Sequence, residues 1–212
     1  DDYNRTNGLK TRVVSGLVRR LAFLVLGLVG LSSGLAALER NVGVILLTRS
    51  HQFTKDLSDE LVNRAGDYNL KIEIEYAEFD AVRQSQIIDR FIERHFDAII
   101  LTPADSGRID ADIQKLNRAA IPVFTVDVAS LGNRGAVISH IASDNFQGGR
   151  VAASLMAEAL KGKGKVVIIN HPKVTSVMER VAGFRDGLKH WPDIDGVADI
   201  PSWGQRDRAM SI

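Results

Sequence analysis

From Val42 onward, short apolar runs alternate with segments of helical periodicity, and the alternation continues to Ile212. The runs Val42–Leu47 (VGVILL), Ala98–Leu101 (AIIL), Val123–Val126 (VFTV), Val137–Ile141, Lys165–Ile169 (KVVII) and Val197–Ile200 predict strands, and Lys71–Tyr76 (KIEIEY) predicts another. Between them Leu57, Leu61, Val62 and Ala65 recur at the spacing of one helix face. So do Ile87, Ile88, Phe91 and Ile92, then Ile109, Ile113 and Leu116. Later, Val151, Leu155, Met156 and Ala159 make one stripe, and Val177, Met178, Val181 and Phe184 make a second.

Strands that alternate with helices build βαβ units, which predicts an α/β protein with parallel sheets. Most of the runs are apolar throughout, as a strand covered by helices on both faces requires. KIEIEY keeps Glu73 and Glu75 on one face and suits a sheet edge. Punctuation agrees with these boundaries. Ile121-Pro122 ends a helix and enters a strand, Gly66-Asp67 closes another helix, and Asp144 or Asn145 can cap the helix that Gly148 and Gly149 open. The irregular stretch Ala129–Gly135, followed by Ile141–Asn145, is the candidate place for a change of domain. A helix is only beginning at Gln205, so the last sheet reads as unfinished and the chain as a fragment.

The amino terminus has a different pattern. KTRVVSGLVRR at 10–20 is basic with no acid, and it runs into the apolar LAFLVLGLVGL at 21–31. Ser32, Ser33, Gly34, Leu35 and Ala36 follow, with Gly34 and Ala36 at the spacings a signal peptidase reads, so cleavage is expected after Ala36. The rival reading is an uncleaved anchor. As a helix, residues 21–37 would span about 25 Å, short of the roughly 30 Å hydrocarbon core. The first methionine is Met156, so the expectation is that residues 1 to about 10 are upstream sequence, with initiation at a Val or Leu codon nearby. The expected division is a leader and signal peptide at 1–36, one lobe at 37–142 and part of a second at 143–212.

Composition narrows the function classes. With 27 Lys+Arg against 26 Asp+Glu and a net charge of +1, no single-signed field exists to hold a polyanion, so no nucleic-acid partner is expected. This chain has no cysteine, which removes a disulfide framework, a thiolate metal site, a cysteine nucleophile and a lipid-anchored cysteine. G-x-S-x-G, P-loop, G-x-G-x-x-G and H-E-x-x-H patterns are missing, and the five histidines never pair at metal-ligand spacing. The expectation is a protein that is not an enzyme and uses neither cofactor nor metal.

In open parallel α/β sheets, ligands bind at the carboxyl ends of the strands. That rule selects Thr48–Thr54, Thr102–Arg108, Asp127–Ser130, Asn170–Ser176 and Pro201–Gln205. Asp127 follows four apolar strand residues; it is either a cap or turn residue or a carboxylate accepting hydrogen bonds from ligand hydroxyls. Phe53 and Trp203 sit in loops after strands, as core packing or as flat walls for a sugar ring. Arg180 lies on a helix otherwise packed inward, where an exposed salt bridge to Glu179 or Asp186 is the plain alternative. His51 is a ligand donor or a solvated loop histidine. The charged residues of the Arg83–Arg94 helix look like a solvated face.

The stretch VISHIASDNFQGGRVAASLMAEAL at 137–160 resembles the segment that crosses between lobes in ribose-type periplasmic sugar-binding proteins, which share their fold with LacI-type ligand domains. VGVILL, AIILTPADS at 98–106, IPVFTVD at 121–127, TSVMERVAGF at 175–184 and ADIPSW at 198–203 fall in the same order and spacing. The resemblance covers about residues 41–212. It implies two Rossmann-like lobes with parallel sheets, the second incomplete here, closing on a sugar and presenting it to an ABC-type permease. It further implies a monosaccharide or similar small polar ligand, a periplasmic location, a monomer and a chemoreceptor as a further partner.

By the same resemblance Phe53 stacks on the sugar, Asp127 binds its hydroxyls, Arg180 is an arginine of the second lobe and Trp203 is the aromatic of the opposite wall. Three positions depart from the ribose-type pattern: Val128 replaces an arginine, Thr54 a second loop phenylalanine and His51 an asparagine. Those departures leave the identity of the sugar open. Two other readings share the fold. One is the ligand-sensing ectodomain of a membrane receptor that keeps 21–37 as its anchor. The other is a repressor, which needs a polar helix-turn-helix ahead of Asn41, where this chain has a basic stretch and an apolar run.

Overall fold

The structure, a computed structural model, describes residues 39–212. The leader and apolar run at 1–36 lie outside the described residues. Among the described residues no helix is long and apolar enough to cross a membrane.

Five strands form the first sheet: β1 (Arg40–Leu46), β2 (Leu70–Tyr76), β3 (Ala98–Leu101), β4 (Val123–Val126) and β5 (Ser139–Ile141). Their order is β2-β1-β3-β4-β5 and every neighbouring pair is parallel. A second sheet pairs β6 (Gly164–Asn170) with β7 (Ile194–Pro201), again in parallel. The helices between are α1 (Gln52–Ala65), α2 (Ala81–Glu93), α3 (Asp110–Arg118), α4 (Asn145–Ala159), α5 (Thr175–Leu188) and α6 (Arg206–Met210). These are two lobes with parallel sheets, the second represented by two strands.

The first lobe is covered on both faces. Ile45, Leu101 and Val123 pack with Ile87, Ile88 and Phe91 of α2 and Ile113 and Leu116 of α3. Val42, Val44 and Leu46 face the other way, toward Leu57 and Leu61 of α1. This two-sided cover is why β1 carries no polar face. Gly43 is needed where it stands, because a Cβ there would meet the Phe91 ring at 2.5 Å and Ile99 at 2.7 Å. At the edge, β2 carries its carboxylates outward. Glu75 takes both oxygens to Arg90 at 2.9 and 2.7 Å, and Glu73 pairs with Arg94 at 2.5 Å. The basic face of α2 is therefore spent on the sheet edge, and the charged strand blunts edge-to-edge pairing. Arg94, ahead of all other influences, holds the Glu73 carboxyl below its usual range.

Some boundaries agree with expectation and others differ. Gly66 closes α1 as expected, keeping right-handed geometry as its C-cap and beginning a 3₁₀ turn, and the left-handed residue is Asn69. β7 begins at Ile194, earlier than its apolar run, because Asp195 and Gly196 join the ladder through an irregularity opposite Val166 and Val167. The stretch 129–135 stays with the first lobe: Asp110 at the start of α3 accepts from the Gly135 N–H at 2.8 Å and the Arg134 N–H at 3.2 Å. Asp144 is the cap of α4, accepting from the Gln147 N–H at 2.8 Å.

In the second lobe α4 and α5 cross at backbone contact. A Cβ on Gly149 would stand 2.0 Å from the Arg180 carbonyl oxygen, and one on Gly183 would stand 1.9 Å from that of Phe146. Ala157, Val166 and Ile194 form the buried centre beneath them, with Leu160, Phe184 and Leu188 packed against it. Replacing Gly183 with Ala should cost about 3 kcal/mol of stability by overpacking, a fall in Tm of roughly 6–12 °C for a chain of this size. Gly148→Ala, where an added Cβ meets open space, is the control; it should hold or raise Tm by removing a helical glycine. Equal Tm values for the two variants would refute the close-crossing account.

Candidate functional site

A cavity of about 760 Å³ lies between the lobes, within the range of small-molecule sites. Its first-lobe wall comes from Leu47, His51, Phe53, Leu57, Phe79, Val126 and Asp127, and its second-lobe wall from His171, Val174, Ser176, Val177, Arg180 and Gly204. Ile141, Ala142 and Ser143, where the chain passes from one sheet to the other, complete it. These residues stand at or just beyond the carboxyl ends of β1, β2, β4, β5, β6 and β7, which is where parallel sheets deliver their loops.

The backbone is unusual around this cavity. Among the described residues eight non-glycine residues have positive φ. Asn69, His95, Ala120 and Lys161 end helices, an ordinary use. Glu78, Phe79, Asp127 and Trp203 instead follow strands β2, β4 and β7. Left-handed geometry costs such residues about 1 kcal/mol or more each, and tertiary contacts must hold them there. Asp127 is held by its N–H, which donates to the Ile141 carbonyl at 2.9 Å.

Asp127 is partly buried at the end of β4. Burial pushes its carboxyl above the usual carboxylate range, against the opposing influences of the Arg180 guanidinium, the Ser176 hydroxyl and His140. Arg180 does not pair with Glu179 or Asp186. It donates to Oδ1 of the buried Asn145, while Asp186 takes Lys189 at 3.0 Å and Arg150 at 3.6 Å. That second-lobe bond aims a cation at the wall opposite Asp127.

Aromatic rings line the other side. Phe79 stands edge-on between His51 at 5.3 Å and His171 at 5.9 Å, and His51 Nε2 lies 3.0 Å from the Gly204 carbonyl oxygen. Phe53 is 59% exposed, so its ring face is open to the cavity rather than packed in the core. His171 is buried, and desolvation together with Lys173 and His51 holds its imidazole below the ordinary histidine range despite the nearby Asp105. A neutral ring is therefore what the cavity sees near neutral pH.

Of the residues singled out in the sequence, Phe53, His51, Asp127 and Arg180 share this cavity, and Thr54 and Trp203 do not line it. Thr54 is on the buried face of α1 with Ser58 and Ala65, one helical position away from the cavity-facing Phe53. Trp203 turns its ring toward His171 at 6.1 Å and Lys173 at 5.4 Å, and the wall position goes to Gly204. Positive φ at both residues brings this about. A Cβ on Gly204 would meet Phe79 at 2.9 Å. Phe79, His171 and Ser176 were not singled out. The strand-end rule that selected the other loops also covers the loop after β2, and Phe79 is the aromatic in it. Among the described residues no group of three or more acidic or histidine side chains could hold a metal ion.

The profile of one family, described as a periplasmic binding protein domain, matches residues 42–210. The chain belongs to that family. The ribose import binding protein of Bacillus subtilis is 29% identical over 150 residues, covering 70% of this chain and 48% of its own. The D-apiose import binding protein of Actinobacillus succinogenes is 27% identical over 168 residues, with shares of 77% and 54%. Among solved structures, a Caulobacter myo-inositol binding protein with myo-inositol bound superposes with a TM-score of 0.76 at 25% identity, covering 84% of this chain and 61% of that one. The fructose-binding periplasmic domain of a hybrid two-component system gives 0.75 at 26% identity, with shares of 80% and 56%. The chain spans about half the length of the curated relatives it matches.

In this periplasmic binding protein domain the raised Asp127 has a measurable sign. A carboxyl whose folded value lies above its unfolded one costs stability when ionised, and the cost is relieved as pH falls through the folded value. Asp127→Asn should therefore stabilise the ligand-free chain near neutral pH, and its advantage over the unsubstituted chain should shrink as pH falls through the folded value. Urea unfolding across that window checks this; an advantage that grows on acidification would contradict it.

Proposed function

We propose that this chain is the sugar-capturing part of a secreted solute-binding protein that serves an ABC-type importer. The observation that carries the reading is that Asp127 and Arg180, from different lobes, stand on the walls of one cavity beside aromatic rings. A sugar presents hydroxyls around an edge and C–H groups on its faces. The carboxylate and guanidinium form charge-assisted hydrogen bonds with the first, and Phe53 and Phe79 cover the second. Two import binding proteins for ribose and D-apiose among the relatives, and a myo-inositol complex among the structures, support this class of ligand.

Affinity sets a requirement on such a site. Micromolar binding needs about −8 kcal/mol, or about 0.7 kcal/mol per heavy atom for a monosaccharide of roughly twelve atoms. A shallow surface does not reach that efficiency, which is why this reading has the two lobes close on the ligand. An unpaired hydroxyl or an unpaired protein charge there costs about 1–3 kcal/mol, and selectivity follows from that penalty.

In this reading the chain divides into a leader at 1–36, a lobe at 37–142 and part of a second lobe at 143–212. It captures and releases its ligand unchanged, acts as a monomer in the periplasm, and meets a permease and a chemoreceptor. Titration calorimetry with D-ribose, D-apiose, D-allose, D-fructose and myo-inositol should give micromolar binding of at least one. Asp127→Ala should weaken it about 30- to 100-fold, by leaving ligand hydroxyls unpaired. No heat from any member of a wider sugar panel, with folding verified by circular dichroism, would overturn the reading.

The fructose-binding periplasmic domain of a hybrid two-component system favours a second reading, the ectodomain of a membrane sensor. Mass spectrometry of the exported protein separates the two. A mature end near Ala37 supports the free binder, and an intact amino terminus supports the sensor.

A further inference from the structure

Helix α5 begins without a cap of its own. Its N-cap residue is Val174, whose side chain accepts no hydrogen bond, so the donors of the first turn need partners from elsewhere. One partner comes from the other lobe. Ser106, in the loop after β3, accepts the Thr175 N–H on its Oγ at 3.1 Å and donates its own N–H to the Lys173 carbonyl at 2.9 Å. The exchange is reciprocal. Thr175 Oγ1 accepts the N–H of first-lobe Ala129 at 2.7 Å. Ser106 is completely buried and Thr175 is 6% exposed. The Ser106 carbonyl is used within its own lobe, accepting from the Leu131 N–H at 2.8 Å. Lys173 adds a longer contact to Asp105 at 3.6 Å.

None of Ser106, Ala129 and Thr175 lines the cavity. Yet Thr175 stands between Val174 and Ser176, and the same helix carries Val177 and Arg180, so the turn they pin is the one that supplies the second-lobe wall. We propose that Ser106 and Thr175 form a latch between the lobes that sets how much of the chain is closed, and thereby how tightly the cavity holds any sugar, without touching the sugar. Separating the lobes uncaps α5 and strips the Ser106, Ala129 and Thr175 N–H groups and the Lys173 carbonyl of their partners. Closing them satisfies all four at once. Apparent affinity scales with the closed fraction, so a weakened latch lowers affinity for all ligands by one common factor.

Hydrogen exchange of the sugar-free chain tests the latch directly. Thr175→Val keeps the shape and removes Oγ1, and Thr175→Ser keeps the oxygen. The Val variant should speed exchange about fivefold or more in segments 103–107, 127–131 and 173–177, from both lobes, and leave the β1 segment unchanged. The Ser variant should restore slow exchange. Exchange within twofold of the unsubstituted chain in Thr175→Val, or no restoration by Ser, overturns the proposal. Should Thr175→Val fail to fold, Ser106→Ala carries the same expectation and the same overturning result.

A binding arm rests on the sugar-capture reading. Against D-ribose, D-apiose, D-allose and myo-inositol, Thr175→Val should weaken every measurable affinity by the same factor and leave the ranking unchanged; a changed ranking overturns the latch. If the unsubstituted chain binds none of these, the sugar reading fails, and sugar-free exchange still decides the latch.

Discussion

Parallel pairing is the constraint on which the rest depends. All five strand pairs of the described chain run in the same direction within their sheets, so the strands of a sheet reach their carboxyl ends on one side; helices make the returns after β1, β2, β3 and β6, and the irregular stretch 127–138 makes the one from β4 to β5. The helices bury the sheet of the first lobe from both faces, which leaves the strand ends as the place where polar and aromatic side chains can gather without disturbing a core. Asp127, Phe79 and His171 gather there because β4, β2 and β6 end there.

The site costs stability that the sheets supply. Asp127 stands in left-handed geometry with its carboxyl partly desolvated, and His171 is buried and held neutral. The left-handed geometry and the desolvated carboxyl weaken the ligand-free chain, while partly buried polar groups strengthen what a polar ligand can gain, since hydrogen bonds made away from water are not diluted by it. Trp203 belongs to the same economy in an indirect way. Its ring meets His171 edge to face and lies beneath the Lys173 ammonium, outside the cavity lining, and its turn frees Gly204 to bring backbone up to Phe79.

The two lobes are stabilised differently. The first has buried clusters on both faces of its sheet. The second relies on backbone contact between α4 and α5 through Gly149 and Gly183, while Val167 and Ile169 on β6 are about half exposed. Contacts from the first lobe therefore matter more to it, and the cap that Ser106 lends to α5 is one of them. The lending also explains why the Thr102–Arg108 loop is polar although it does not line the cavity.

Much was legible along the chain because it is local. Period-two and helical spacing reported all seven strands within a few residues, and Glu73 and Glu75 marked β2 as the edge before any neighbour was known. The rule that ligands meet strand ends pointed to Phe53, His51 and Asp127, and Arg180 was noticed as a charge on an inward-packed helix. What sequence could not decide is side-chain direction across loops and lobes. Thr54 and Phe53 are adjacent, and only the packing of α1 on its sheet sends one inward and the other to the cavity. Trp203 and Gly204 exchange places through two positive φ angles. Arg180 chooses Asn145 over its helical neighbours because α4 crosses α5 at glycines. Spacing reported the buried faces of α2 and α3 but not of α4, where the expected stripe Val151, Leu155, Met156 and Ala159 is exposed and the small residues Gly149, Ala153 and Ala157 are buried because α5 crosses closely there; which groups from distant elements meet is set by the crossing of helices and the turns after strands, and those exist only in three dimensions.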